Sequence, residues 1–322
     1  MSKAVTAIGL LLAAVPLPGF AQDAVHRFQA LEQQLFTAGT RLSRANAPFC
    51  ADTAASSGFL IHDAASYGDP TAIRTALGLV GDIGVQAVAD DVSGLAPNDT
   101  VLAIGGTDVA ESWPATDPAW KRAELLRSEM ESRLASGPLS LTVANADGET
   151  RIVTVEGQSA CASRFEVLDG SDDAWADGER VAMGRKWPAF AYDADAFAAS
   201  VAHELAHNIQ RHVQRLDRVN RRRALVRISE RDADRMMPWL LYNAGYDPAG
   251  AVRWMSQWGT RFIWLNRKRT HDAWDERVAA IEAETARMDA LIAQHGWTLG
   301  EADWRTHFEP ELDAPLAAAQ KD

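Results

Sequence analysis

The sequence predicts an α+β fold, a mainly helical body with a small β-sheet together with a β-rich module. Three observations predict it. Apolar residues recur three and four apart near the amino terminus and again through the carboxy-terminal half, the period of helices with one buried stripe. Between about residues 70 and 157 the texture changes to short strand-like runs separated by turn residues, the pattern of hairpins. The 322 residues exceed what one ordinary domain needs, and 47% hydrophobic with 24% charged residues is an average globular composition, so two compact units are expected. With 32 basic against 44 acidic residues the net charge is −12, which repels a polyanion and argues against nucleic acid as a partner.

Taken in order, the chain opens with Lys3, an apolar run from Ala4 to Val15, and Pro16 to Ala21 with small residues before a cut site. This reads as a secretory signal peptide over residues 1–21, cleaved after Ala21; an uncleaved anchor is the competing reading. The run is short for a bilayer span and no later stretch holds eighteen uninterrupted apolar residues. The expected mature chain therefore has no transmembrane span and is periplasmic or secreted. Cys50 and Cys161 are its cysteines, and an even pair in an oxidising compartment predicts a disulfide, with unpaired core thiols as the alternative.

Within residues 22–69, Phe28, Leu31, Leu35, Ala38 and Leu42 mark a helix packing on the body. Strands are expected at Gly84–Val88, Thr100–Ile104, Leu139–Val143 and Thr150–Val155. Gly105-Gly106 and Asn145–Gly148 supply turns, and a helix over Pro118–Leu134 interrupts the series. Ser93-Gly94-Leu95-Ala96-Pro97-Asn98-Asp99 followed by Val101–Gly106 resembles a PDZ domain of the bacterial type over residues 70–158. That resemblance implies a module that docks an extended peptide on a sheet edge; a spacer that only packs on its neighbour is the alternative.

The third region, 159–308, begins with a strand pair around Arg164–Leu168 and Arg180–Met183. Helices follow, capped at Asp193 or Asp195, running over Ile228–Asn243 to Gly245, starting at Asp247-Pro248, and spanning Asp275 to about Ala293. Residues 309–322 read as a frayed tail.

The chemistry lies in His203-Glu204-Leu205-Ala206-His207. Four residues along a helix bring both imidazoles to one face, where they can hold one metal ion, with Glu204 able to reach a water on it. Catalytic zinc takes three protein ligands and keeps an open position. Glu230-Arg231-Asp232-Ala233-Asp234 supplies the third ligand in Glu230, while Asp234, one turn on, can accept the free ring N–H of His203. One zinc ion per chain is expected.

With these segments on consecutive helices, the chain resembles the gluzincin zinc metallopeptidases of the HtpX and CAAX prenyl-endopeptidase type, over about 120 residues. Asp173–Gly178 is similar to that family's strand turn, and Thr270-His271 with Asp275-Glu276-Arg277 to a later segment. Asp173, Pro238 and Asp272 depart from the family pattern. The resemblance implies a metalloendopeptidase hydrolysing protein or peptide substrates, with Glu204 and His271 as catalytic residues: Glu204 activates the water, and His271 donates to the oxyanion or is structural.

The family runs from its first helix straight into the strand before the metal helix, so the β-rich module looks inserted, with Cys50 and Cys161 at its two ends. A bridge there would be worth roughly 4 to 5 kcal/mol in the chain-entropy model. His212, nine residues from His203, is 180° round a continuous helix and reads as a packing or surface residue. The strand Arg180–Met183 is a candidate to run along the cleft and pair with substrate. The basic run Arg218–Arg227 reads as a solvated face, with peripheral membrane contact as the alternative. A non-enzymatic reading also stands, a metal-binding chaperone-like scaffold with little proteolysis.

Overall fold

The computed structural model describes residues 18–260 and 273–320. The chain runs through α1 (Pro18–Ala45), β1 (Thr53–Ser56), β2 (Phe59–Asp63), α2 (Pro70–Leu77), β3 (Ile83–Val88), β4 (Thr100–Ile104), β5 (Thr107–Asp108), α3 (Val109–Ser112), α4 (Trp120–Leu134), β6 (Leu139–Ala144), β7 (Thr150–Val155) and β8 (Gln158–Cys161). It continues with β9 (Arg164–Leu168), β10 (Ala174–Ala176), β11 (Arg180–Gly184), α5 (Ala194–Ile209), α6 (His212–Asp217), α7 (Arg223–Asn243), α8 (Ala249–Thr260), α9 (Trp274–His295), α10 (Trp304–His307) and α11 (Asp313–Ala319). The fold is α+β. Among the described residues no helix is long and apolar enough to cross a membrane. The expected signal segment lies largely outside the described residues, and Ala21 sits in the first turn of α1.

Among the described residues two large apolar cores organise the chain, with smaller clusters beside them. One gathers Leu35 and Leu42 of α1, Phe165 and Met183 of the small sheet, and Phe197, Leu205, Trp239, Met255 and Ile281 of the helices. The other closes within the insert, around Val85, Ile104, Leu126, Leu141 and Val143. Each core buries its own alternating or helical stripe, which is why the two halves read so differently in sequence.

The insert is a six-stranded sheet in the order β2-β3-β4-β6-β7, with β5 paired to β4 and every pairing antiparallel. It begins earlier than residue 70, because Phe59–Asp63 forms its end strand. That strand is short and flanked by small residues, so its period is hard to read. β1 and β8 form a separate two-stranded stem, with Thr53 opposite Cys161, and Cys50 is bridged to Cys161 at its base with Cα atoms 5.5 Å apart. Amide side chains of α1 fasten the insert to the body. Gln33 donates to the Val88 carbonyl at 2.7 Å and accepts from the Val88 amide at 3.0 Å, while Gln29 donates to Asn98 Oδ1 at 2.8 Å.

The body's sheet has the order β10-β11-β9, with β11 parallel to β9 and antiparallel to β10. β11 is therefore central and has no free edge, which corrects the expectation that Arg180–Met183 pairs with substrate. The edge strands are β10 and β9. The carboxy-terminal segment also departs from expectation: α11 is ordered rather than frayed. Leu312 and Leu316 are buried against Leu216, Val219 and Leu225 of the α6–α7 hairpin, and the Asp232 carboxylate accepts the Glu311 and Leu312 amides at 2.8 and 2.9 Å. Pro238 lies inside α7 without ending it. A proline there removes one amide from the helix ladder, and burial of its flanking residues on the core holds the helix together.

Candidate metal centre

Asp193 starts α5 by accepting the Ala196 amide at 3.0 Å, an N-cap that fixes the helix frame. From that start nearly every side chain of α5 is buried, so His203, Glu204 and His207 are placed by packing rather than held on a mobile loop. α7 lies against α5 and brings Glu230 to the two imidazoles. One Glu230 oxygen is 3.5 Å from His203 Nε2, the other is 3.7 Å from His207 Nε2, and the two Nε2 atoms are 3.4 Å apart. Ligand atoms about 2.1 Å from a tetrahedral zinc stand about 3.4 Å from one another; the two imidazole nitrogens already have that spacing, and one ligand atom from each of the three residues lies within 4.8 Å of the others. His203, His207 and Glu230 are the candidate metal cluster among the described residues.

Behind the cluster stands a buried relay of charge. Asp234 Oδ1 is 3.0 Å from His203 Nδ1, and the same carboxylate takes the Arg277 guanidinium in two bonds of 2.5 and 2.6 Å. Burial opposes the charged forms, but the Asp234 and Glu230 carboxylates outweigh it at His203 and raise its pKa. Asp234 is held below the usual carboxylate range by Arg277 and His203, against the cost of its burial. A cation at His203 Nε2 competes with that proton. Burial pushes Glu204 up to about 7, aided by Glu230 and Asp234 and opposed by His203 and Arg277. Burial moves His207 the other way, down to about 4. A carboxyl near 7 beside a cleft is suited to exchanging protons at neutral pH.

The cluster opens on a cleft of about 280 Å³ lined by β10, Trp187, Trp254, Arg221 and Arg277. Asn208, the residue after His207, accepts the Gly178 amide at 2.7 Å and donates to Ser163 at 2.9 Å. This ties the β10–β11 turn to the metal helix. Gly178 has φ +100°, and a Cβ there would strike Gln214, so the turn demands glycine. A separate cavity of about 320 Å³ lies between β2, α4 and the body, away from these ligands.

The structure brings together His203, Glu204, His207, Glu230 and Asp234 as the spacing suggested. His271, with Thr270 and Asp272, lies outside the described residues. His212 corrects the sequence reading. α5 stops at Ile209, Arg211 takes a left-handed conformation with φ 53°, and α6 begins at His212, so the angle for one continuous helix does not apply. His212 is buried, with its Nδ1 2.9 Å from His207 Nδ1. A left-handed non-glycine residue costs about 1–2 kcal/mol. The Arg211 side chain pairs with Asp52 next to the disulfide stem. Arg277 had no assigned role from sequence, although a signal existed. Arg277, Ile281, Glu284 and Met288 form the buried stripe of α9, and a charge on a buried stripe needs a partner. Glu284 finds its partners in Arg235 and in Trp239, whose Nε1 donates at 3.0 Å.

Comparisons of the chain with family models, curated proteins and solved structures found no match.

Proposed function

We propose that this chain is a zinc-dependent endopeptidase of extracytoplasmic proteins, with the gluzincin arrangement of ligands and a PDZ-like insert that docks substrate or partner peptides. The observation that carries the reading is the cluster of His203, His207 and Glu230, with the two Nε2 atoms 3.4 Å apart and one Glu230 oxygen 3.5 Å from His203 and the other 3.7 Å from His207, beside the buried Glu204. Two imidazoles and a carboxylate are the donor set of a hydrolytic zinc site, and a metal store or structural site has no need of an added carboxyl beside its ligands.

Bound there, zinc would supply Lewis-acid activation of water and of the scissile carbonyl. Glu204 takes the proton of the attacking water and returns it to the leaving amine nitrogen. Asp234 and Arg277 fix the ring of His203, and Asn208 fixes the position of β10, the edge strand that lines the cleft and along which an extended peptide can lie. In the insert, β2 is an end strand with α4 beside it, and residues of both line the 320 Å³ cavity; this geometry suits strand addition. The disulfide and the absence of a membrane-crossing helix among the described residues are compatible with a periplasmic or secreted site of action.

The test is metal content and hydrolysis of an unfolded protein by wild type and by Glu204→Gln. The expected outcome is about one zinc per chain in both, with turnover lost by at least about 10²-fold in the variant. Turnover that survives the substitution removes Glu204 from the mechanism, and zinc-loaded wild type without turnover favours a binding scaffold.

A further inference from the structure

We propose that His212 is a positioning residue for the metal ligand His207, accepting the His207 Nδ1 proton and so turning the Nε2 lone pair into the metal centre. The inference rests on the metal-centre reading above and is independent of whether the site cleaves peptides.

Two ring nitrogens 2.9 Å apart must share a single proton. Two lone pairs or two N–H groups at that distance repel, so one ring donates and the other accepts. His207 Nε2 faces His203 Nε2 and Glu230, so a cation bound there requires its lone pair. That places the His207 proton on Nδ1, makes His212 Nδ1 the acceptor, and leaves the His212 proton on Nε2. Reversing the shared proton would put a hydrogen on His207 Nε2 and abolish the ligand.

The arrangement is built rather than incidental. Five residues along a continuous helix are about 140° apart, and only the left-handed turn at Arg211 brings the two rings within bonding distance. The rings meet edge to face, with centroids 4.9 Å apart and planes at 75°. His212 is almost wholly buried, and its Nε2 has no hydrogen-bond partner among the described residues. A side chain chosen only to fill that space would be apolar, since a buried polar atom without a partner is destabilising.

The two imidazole ligands therefore have different supports. His203 leans on a carboxylate that is itself paired with Arg277, whereas His207 leans on a neutral ring. A second carboxylate there would add negative charge to a site that already holds Glu204, Glu230 and Asp234. The neutral acceptor fixes the tautomer without doing so.

The experiment measures zinc affinity of the full chain by chelator competition for wild type, His212→Asn and His212→Phe, alongside nitrogen-15 spectra of the histidines in zinc-loaded wild type. Asparagine places an acceptor oxygen where the imidazole has Nδ1, and phenylalanine fills the space without one. Expected are an affinity loss of about 10- to 100-fold for Phe, recovery of most of it by Asn, and spectra showing His207 protonated at Nδ1 and His212 at Nε2. Zinc bound equally well by the Phe variant, Asn no better than Phe, or His207 protonated at Nε2 would each overturn the assignment. The spectra stand even if the Phe variant does not fold. Wild type that binds no zinc overturns it too, while loss of peptide cleavage with zinc affinities as expected removes only the endopeptidase reading.

Discussion

Replacing Asp234 by Asn keeps the shape of a fully buried side chain and removes its charge. Two losses follow, and they have different causes. The Arg277 guanidinium, itself buried, loses the carboxylate it holds at 2.5 and 2.6 Å, and breaking a buried pair by removing one partner costs about 3–5 kcal/mol. His203 loses the anion 3.0 Å from its Nδ1, which lowers metal affinity by about 10- to 100-fold, or about 1.4–2.7 kcal/mol. A second substitution separates them. Adding Arg277→Met removes the stranded cation, so urea unfolding of the metal-free double variant should recover most of the lost stability, while chelator competition should show zinc binding as weak as in the single variant. Asp234→Asn with wild-type zinc affinity would refute the support assigned to His203. A double variant no more stable than the single one would refute the account of the ion pair, since the coupling measured by the cycle would then be absent.

Other outcomes are equally specific. Glu32 accepts the Val167 amide at 2.9 Å, and burial, helped by Glu166, lifts its pKa from 4.5 to about 7 against that bond and Arg127. Because the folded value is the higher one, its contribution is complete below about pH 4.5 and is lost as pH rises through 7; Glu32→Gln should therefore unfold later than wild type at pH 8, by up to about 3 kcal/mol, and match it at pH 4.5. Replacing Cys50 and Cys161 by Ser opens a loop of 111 residues and should lower stability by up to about 4–5 kcal/mol, an effect that a reducing agent reproduces on wild type and not on the variant. Leu316→Ala should cost about 2–4 kcal/mol in thermal or urea unfolding, as expected for a leucine in the apolar contact between α11 and the α6–α7 hairpin; an unchanged midpoint would mean that α11 does not brace that hairpin.

Much of the site was legible because its information is local. His203 and His207 lie one turn apart on a helix whose cap, Asp193, stands in the same stretch of sequence, and Glu230 and Asp234 repeat that spacing on α7. The long helices and several strands followed from local signals for the same reason, whereas the short helices α2 (Pro70–Leu77), α3, α6 and α10 gave too few turns to show a period. The insert's first strand was lost because Phe59–Asp63 is five residues long and almost wholly buried, so no polar alternation marks it. α11 was lost because a short alanine-rich segment gains its order from Asp232 and from the leucines of α6 and α7, none of them its neighbours in the chain.

By itself, then, the order of residues determined which side chains share a helix face, that two cysteines flank a β-rich stretch, and that the chain divides into a helical and a β-rich part. Folding decided the rest. A single left-handed residue at Arg211 turns His212 back onto His207, and the packing of α9 on α7 delivers Arg277 to Asp234 across 43 positions. The edges of the small sheet fall to β9 and β10 because β11 is paired on both sides, and of the two it is β10 that lines the cleft. The physical reason is common to all three: periodicity fixes direction around one axis, whereas distance between axes is set by how buried surfaces fit together and where the backbone breaks its regular turn.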